Sequence, residues 1–269
     1  MCLLVLSFQA HPDASVILGG NRDEQLHRQS DPPAILSTTP RVIGGRDRQA
    51  GGTWLGRNEH GMLAAITNFH DPLLPIPPEA LSRGKLVLGI LRQITPEAAA
   101  DWIARQPLFR YRPFNLLFGN REQFFYFSSQ TFTAPQRLSP GRYVLSNTAL
   151  NDRSWTKVAQ TQDFFEQSKH LEGEVLIQHL QAFFCDPDVS GSGIPVGRLP
   201  RDSVFVELPG YGTVSGSMLT SGGRLGERYY FAEGAAMLQA RRSWALPVLL
   251  GRDSLSEGTP FQRLNFQLD

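Results

Sequence analysis

The sequence lacks the features that mark a disulfide scaffold, a membrane protein or a secreted protein. It has two cysteines among 269 residues, Cys2 and Cys185, so we expect no disulfide framework and a reducing, cytoplasmic compartment. No apolar run approaches the roughly 20 residues that a membrane-spanning helix needs. The first residues show no basic leader and no small-residue cleavage site, so we expect no secretory signal.

Charge and histidine patterns argue against two further classes of partner. The formal net charge is +1 and no basic run is long enough for a polyanion groove, so we expect no nucleic-acid partner. None of the six histidines lies in a metal-ligand spacing, so we expect no metal site and no required cofactor. A single axial ligand to haem would escape this test. The histidines are His11, His27, His60, His70, His170 and His179.

What the sequence does have is typical of a globular domain rich in turns. Apolar residues make up 41% and charged residues 19%, with 25 Gly and 19 Pro. The length is sufficient for a sizeable core, and we find neither an internal repeat nor a linker, so we predict a single domain over residues 1–269. We expect the Ser-, Gly- and Pro-containing stretch 188–194 to be an exposed loop.

Apolar periodicity and turn residues predict alternating blocks of strands and helices. Strands are expected over 2–9, 15–21, 53–56, 62–68, 114–119, 123–128, 142–147, 203–208, 212–220, 225–232 and 260–267. Helices are expected over 79–93, 96–105, 154–168 and 172–184. The first two strands should form a hairpin through residues 11–14. Blocks of consecutive strands favour an α+β fold in which antiparallel sheets are covered by helices.

Cys2 is the first candidate for chemistry. A small second residue favours removal of the initiator Met, after which Cys2 would carry a thiol and a free α-amine together. The amine has a reference pKa of roughly 7.7–8.0, so it can act as the base that activates the nucleophile. The alternative is that Cys2 is a small apolar filler before a buried strand, since free cysteines are often buried.

The sequence Asn21-Arg22-Asp23-Glu24 ends the second predicted strand. In a hairpin this end returns towards Cys2, so the Asp23 carboxylate could orient the α-amine and stabilise its charged form. Strand alternation places Asn21 and Asp23 on one face and Arg22 on the other, which makes Arg22 the weaker catalytic candidate. The alternative is an ordinary polar loop start.

Three further motifs lie at turns or strand ends. Gly51-Gly52-Thr53-Trp54-Leu55-Gly56 indicates a close backbone approach around Trp54, or a core packing site. Asn68 and Asn147 each follow a hydroxyl residue at the end of a strand. Their amide groups could donate to a developing oxyanion, or could cap turns.

Taken in order, these motifs resemble those of the NRDE, or transport and Golgi organisation, family. The resemblance covers essentially the whole chain, and the Asn-Arg-Asp-Glu and Gly-Gly-Thr-Trp-Leu-Gly segments are specific as an ordered pair. The other matching segments are Met1-Cys2-Leu3-Leu4, Leu63-Ala64-Ala65-Ile66-Thr67-Asn68, Arg83-Gly84-Lys85-Leu86-Val87, Phe114-Asn115-Leu116-Leu117, Leu145-Ser146-Asn147 and Pro209-Gly210-Tyr211-Gly212-Thr213.

That family is similar in turn to the N-terminal-nucleophile hydrolases with cysteine first, such as penicillin V acylases and bile salt hydrolases. The resemblance implies a four-layer αββα sandwich in which Cys2 is the nucleophile and Asp23 its partner, with Asn68 and Asn147 near the oxyanion. We assign Asn21, Arg22 and Trp54 to substrate binding. The sequence departs from the related patterns at Gly20 and Val214, where arginines are expected.

Two functions follow as expectations. The first is hydrolysis of a linear amide or an acyl thioester of a small molecule by Cys2. The second is non-catalytic binding and trafficking of haem, acyl-CoA or another lipid on the same scaffold, with Trp54, Phe69, Phe114 and Phe118 lining an apolar pocket. A scaffold for another protein is a third reading that no sequence feature supports.

Overall fold

Two seven-stranded antiparallel sheets form the centre of the molecule. The computed structural model describes residues 2–71, 73, 77–131, 133–185, 202–240 and 260–265. Sheet A contains, in spatial order, β10 (Gly141–Leu145), β1 (Leu3–His11), β2 (Ala14–Gln25), β12 (Tyr211–Ser221), β13 (Arg228–Glu233) and β14 (Gln262–Leu264), with β11 (Glu207–Leu208) paired to β12. Sheet B contains β3 (Ser30–Thr38), β4 (Arg41–Asp47), β5 (Leu55–Asn58), β6 (Leu63–Asn68), β7 (Phe114–Gly119), β8 (Phe124–Ser128) and β9 (Gln136–Arg137) in chain order.

Helices cover the outer face of each sheet. The helices α1 (Gly84–Leu91) and α2 (Pro96–Ala104) pack on sheet B, and α3 (Thr156–Gln167) and α4 (Gly173–Cys185) pack on sheet A. A third apolar layer lies between the sheets, so the layers follow the order helix, sheet, sheet, helix. This confirms the predicted α+β class with two stacked antiparallel sheets. None of the described helices is long and apolar enough to cross a membrane.

Alternation along β1 shows how one strand serves two cores. Leu3 and Val5 pack against the helices on sheet A, whereas Leu4 and Leu6 pack into the layer between the sheets. This follows because successive side chains of a strand point to opposite faces. Extended back by one residue, the same alternation directs Cys2 towards sheet B.

The strand and helix predictions are mostly confirmed, with two clear misses. The hairpin β1–β2 forms as expected, with Leu3 opposite Asn21. The strands β3 and β4 were not predicted, because β3 lies at the edge of sheet B and contains the Pro32-Pro33 pair, around which its register with β4 shifts. Within 203–208 only β11 is a strand. The predicted loop 188–194 and residues 266–267 of the last predicted strand lie outside the described residues.

A backbone-to-backbone contact between Gly52 and Gly84 holds the start of α1 against the loop between β4 and β5. The Thr53 amide donates to the Gly84 carbonyl at 3.2 Å. A Cβ on Gly52 would overlap the backbone of Gly84, so this position accepts only glycine without a shift of α1. The contact explains why two separate glycine motifs occur in the sequence.

We predict that Gly52→Ala lowers the free energy of unfolding by about 1–3 kcal/mol, because overpacking forces the backbone of α1 to move. The matched control is Gly51→Asn. Gly51 has φ of 68° and no atom within 4 Å of a Cβ, and Asn tolerates this conformation. Urea denaturation of both variants checks the prediction, which fails if the two lose the same stability.

Candidate active site

A cavity of about 660 Å³ opens where the ends of β2 and β6 come together. Its lining is mostly polar, which corrects the expectation of an apolar pocket. Of the four aromatic residues expected to line it, Trp54 does so, whereas Phe114 and Phe118 are buried beneath α1 and α2 and Phe69 is not part of the lining. The described lining residues are Cys2, Arg22, Asp23, Glu24, Arg28, Asp47, Gln49, Ala50, Gly52, Thr53, Trp54, Ile66, Asn68, Pro77, Pro78, Glu79, Ala80, Leu81, Ser82, Arg83, Gly84 and Arg112.

Cys2 is a half-buried residue with a free thiol, and it is part of the cavity lining. Its backbone is fixed by Ser146, whose hydroxyl donates to the Cys2 carbonyl oxygen at 3.0 Å. Its sulfur lies within electrostatic range of two cations, Arg83 and Lys157. The Cys2 backbone is therefore held by the residue that follows β10, and two cations lie within electrostatic range of the side chain.

A seam of hydrogen bonds joins the two sheets beside Cys2. Thr67 Oγ1 donates to the Ser146 carbonyl at 2.6 Å, and Asn147 Nδ2 donates to the Asn68 carbonyl at 2.8 Å. The His70 amide donates to the Asn147 carbonyl at 2.7 Å. The two strand-end pairs identified from the sequence, Thr67-Asn68 and Ser146-Asn147, thus bind each other.

The seam separates the two asparagines that were expected near the oxyanion. Asn68 lines the cavity with an exposed side chain. Asn147 is fully buried, lies outside the described lining and holds the backbone of Asn68. Of the two asparagines, Asn68 lines the cavity and Asn147 holds its backbone from outside the described lining.

Asp23 is buried at the end of β2 and faces a lysine on α3. Lys157 is fully buried, and its Nζ lies 3.9 Å from Asp23 Oδ2. This Nζ donates no hydrogen bond to any of the described residues. Thr213 Oγ1 donates to Asp23 Oδ1 at 2.7 Å. Burial raises the pKa of the Asp23 carboxyl, and the Lys157 ammonium opposes that shift. Burial likewise lowers the pKa of Lys157, with Asp23 and Cys2 opposing it.

Arg22 lies on the other face of β2, as alternation predicted, and this face borders the cavity. Its guanidinium lies over the Trp54 ring, 4.5 Å from the centroid, and Nη2 donates to Asp47 Oδ2 at 3.2 Å. Arg28 binds the same carboxylate oxygen at 2.9 Å. Asn21 instead donates to backbone carbonyls at the end of α4 and at residue 204, and it is not part of the lining. This position gives no support to its assignment to substrate binding.

Sequence reasoning missed Lys157, Arg83 and Arg112. One signal for Lys157 was available, because the residue shares the buried face of the predicted helix 154–168 with Thr161 and Phe164. A lysine on such a stripe is rarely fully buried unless it is paired. Arg83 and Arg112 gave no local signal, since they meet in the cavity through the fold.

Of the two departures from the related arginine pattern, the one at Gly20 has a local cause. A Cβ on Gly20 would overlap the Leu3 carbonyl oxygen across the β1–β2 pair, so no side chain fits there on this backbone. Val214 lies at a register shift of β12, between Thr213 and Ser215. The cation beside Asp23 comes from Lys157 on α3 instead.

Two stacked antiparallel sheets between helical layers, with Cys2 and Asp23 among the residues that line one cavity, form a fold like that of the N-terminal-nucleophile hydrolases. A solved structure with this fold, the Caenorhabditis elegans ortholog of N-acylethanolamine-hydrolyzing acid amidase, matches at a TM-score of 0.51 and 12% identity, covering 81% of this chain and 92% of that one. At this identity the likeness concerns the fold alone.

Within that class, the chain belongs to the Transport and Golgi organisation 2 (TANGO2) family, whose model matches residues 1–230. Curated relatives agree with this assignment. The human Transport and Golgi organization protein 2 homolog is 29% identical over 247 residues, covering 81% of this chain and 88% of the human protein. The Bos taurus homolog is 28% identical over 255 residues, with the same coverage.

We predict that Lys157→Met lowers the free energy of unfolding by about 3–5 kcal/mol, because it removes the cation that faces the buried Asp23 carboxylate. The double variant Asp23→Leu/Lys157→Met should recover most of this loss, since paired apolar residues often replace a buried ion pair without cost. Denaturant titration of both single variants and the double variant checks this. Additive losses in the double variant would show that the two side chains are not coupled.

Proposed function

We propose that this protein is an N-terminal-nucleophile hydrolase that cleaves an amide or an acyl thioester of a small molecule at Cys2. The observation that carries the proposal is that Cys2 and Asp23 both line one cavity, where the start of β1 lies beside the end of β2. The fold is consistent with it, because the class places its nucleophile at the first residue of the mature chain. The family name refers to transport, so the proposal rests on the site rather than on the name.

In the proposed reaction, removal of Met1 frees the Cys2 α-amine, which takes the thiol proton as the sulfur attacks the substrate carbonyl. The same amine returns the proton to the leaving amine or thiol, and a thioester to Cys2 remains. Water then attacks the thioester and gives its proton to the departing sulfur through the amine, which releases the acid and restores the thiol.

Three neighbours support these steps. Asp23 orients the α-amine and stabilises its charged form, and the Lys157 ammonium favours the ionised form of Asp23. The Asn68 amide donates to the developing oxyanion. One such donor is worth about 2.7–4 kcal/mol in a characterised enzyme.

The second candidate is carriage of haem or an acyl-CoA in the same cavity, in the cytoplasm. The observation in its favour is the volume of about 660 Å³, which lies within the usual range for ligand pockets, with Trp54, Ile66 and Leu81 as apolar walls. No histidine is among the described lining residues, so Cys2 would be the candidate ligand to haem iron there. The described residues hold no cluster of three metal-ligating side chains.

We predict that Cys2→Ala abolishes hydrolysis of N-acyl amides and acyl thioesters, because the nucleophile is lost, while Cys185→Ala retains it. Cys185 is buried in the α4 core and is the matched control. Release of acid from a substrate panel provides the measurement, and intact mass establishes whether Met1 is absent. A panel without any Cys2-dependent turnover by Met1-free protein contradicts the proposal, and saturable binding of haem or acyl-CoA would then favour the carrier.

A further inference from the structure

Arg83 enters the cavity from the start of α1 and is held there by the backbone. It occupies the N-cap position of the helix, and its Nη1 donates to the Pro113 carbonyl at 3.0 Å. The contact between Gly52 and Gly84 fixes the adjacent backbone. The half-buried guanidinium is thus presented by a rigid support rather than by a free surface side chain.

Most of the other charges of the cavity neutralise one another. Asp47 binds Arg22 and Arg28, and Glu24 lies 3.8 Å and 3.7 Å from the same two guanidinium groups. Asp23 faces Lys157.

Arg83 and Arg112 remain without such a partner. Among the described residues, no carboxylate oxygen lies within 4.0 Å, the limit for an ion pair, of either guanidinium group. The exposed Glu79 of the lining is also too far from both arginines. Two neighbouring guanidinium groups therefore line the cavity without an ion-pair partner among the described residues, and that of Arg83 lies within electrostatic range of Cys2 and, more weakly, of Glu24.

The charge of Arg83 persists at neutral pH although its surroundings disfavour it. Burial and, second, the neighbouring Arg112 lower the pKa of Arg83 to about 10, still far above neutrality. A bound anion would relieve the repulsion between the two arginines. Guanidinium groups suit carboxylate and phosphate because their donors match two oxygens at once.

We infer that Arg83, assisted by Arg112, binds an oxyanion group, a carboxylate or a phosphate, of the molecule whose acyl carbonyl reaches Cys2. The identity of the reacting group rests on the proposed function, but the anion site does not. The site would select acylated molecules that carry a negative charge near the scissile bond over neutral ones of the same shape.

The test compares two alkylating reagents that differ in charge. Iodoacetate and iodoacetamide both transfer a two-carbon group to the Cys2 sulfur with loss of iodide, but only iodoacetate carries a carboxylate. In a Cys185→Ala background, the ratio of the iodoacetate rate to the iodoacetamide rate should fall by about fivefold in Arg83→Gln, since a nearby partly buried charge is lost. Arg83→Lys, which keeps the charge, should retain most of the ratio.

The matched control is Arg121→Gln, which removes the same charge from a side chain that is 64% exposed and outside the lining. An equal ratio in Arg83→Gln and this control overturns the inference. Arg112→Gln provides an independent variant at an exposed position if Arg83→Gln does not fold, and an unchanged ratio there counts equally against it.

The chemistry of the anion is resolved by protection of the unsubstituted protein. Inorganic phosphate and acetate, compared at equal ionic strength with chloride, should slow iodoacetamide alkylation of Cys2, and the stronger protector identifies the preferred group. Protection by neither overturns the inference. Alkylation needs no turnover, so the two proposals can fail separately. If the ratio of iodoacetate to iodoacetamide rates depends on Arg83 but the protein hydrolyses no substrate, the proposed function is contradicted and the anion site stands.

Discussion

The arrangement of the site depends on one buried ion pair, formed by Asp23 and Lys157. Asp23 ends β2 and Lys157 lies on α3, and both are removed from water. Burying an ion costs several kcal/mol unless another charge or a set of donors compensates. Together with Thr213 on β12, the pair fixes β2, β12 and α3 relative to one another. Since β1 pairs with β2 in register, the same constraint fixes Cys2.

Local pattern predicted the parts of the site that lie on one hairpin. Alternating apolar residues and a turn at residues 11–14 were enough to pair β1 with β2 and to bring Cys2 near Asp23. The opposite orientation of Arg22 also followed from alternation. Which face borders the cavity did not follow, because that depends on where sheet B lies. Arg22 therefore lines the cavity from the face opposite to Asp23, and its role there stays a prediction.

The remaining contacts join segments that are far apart in the chain, and pattern carries little information about them. Thr67 meets Ser146 across 79 positions, and Gly52 meets Gly84 through backbone atoms. A glycine motif indicates that something approaches closely without saying what. The edge strand β3 was missed for a related reason, since half-exposed polar residues and two prolines give no period-two pattern.

Fold does not decide between an enzyme and a carrier, but the charge pair bears on the choice. An apolar pair at positions 23 and 157 would fill the same space, and such replacements are often neutral or stabilising. Carriage of a ligand requires the cavity and does not require a buried carboxylate paired with a lysine. A nucleophile whose base is its own α-amine does gain from such a pair, because an ionised Asp23 orients that amine and the Lys157 ammonium favours its ionisation. The presence of Lys157 beside Asp23 thus supports the proposed proton transfer at Cys2 over ligand storage.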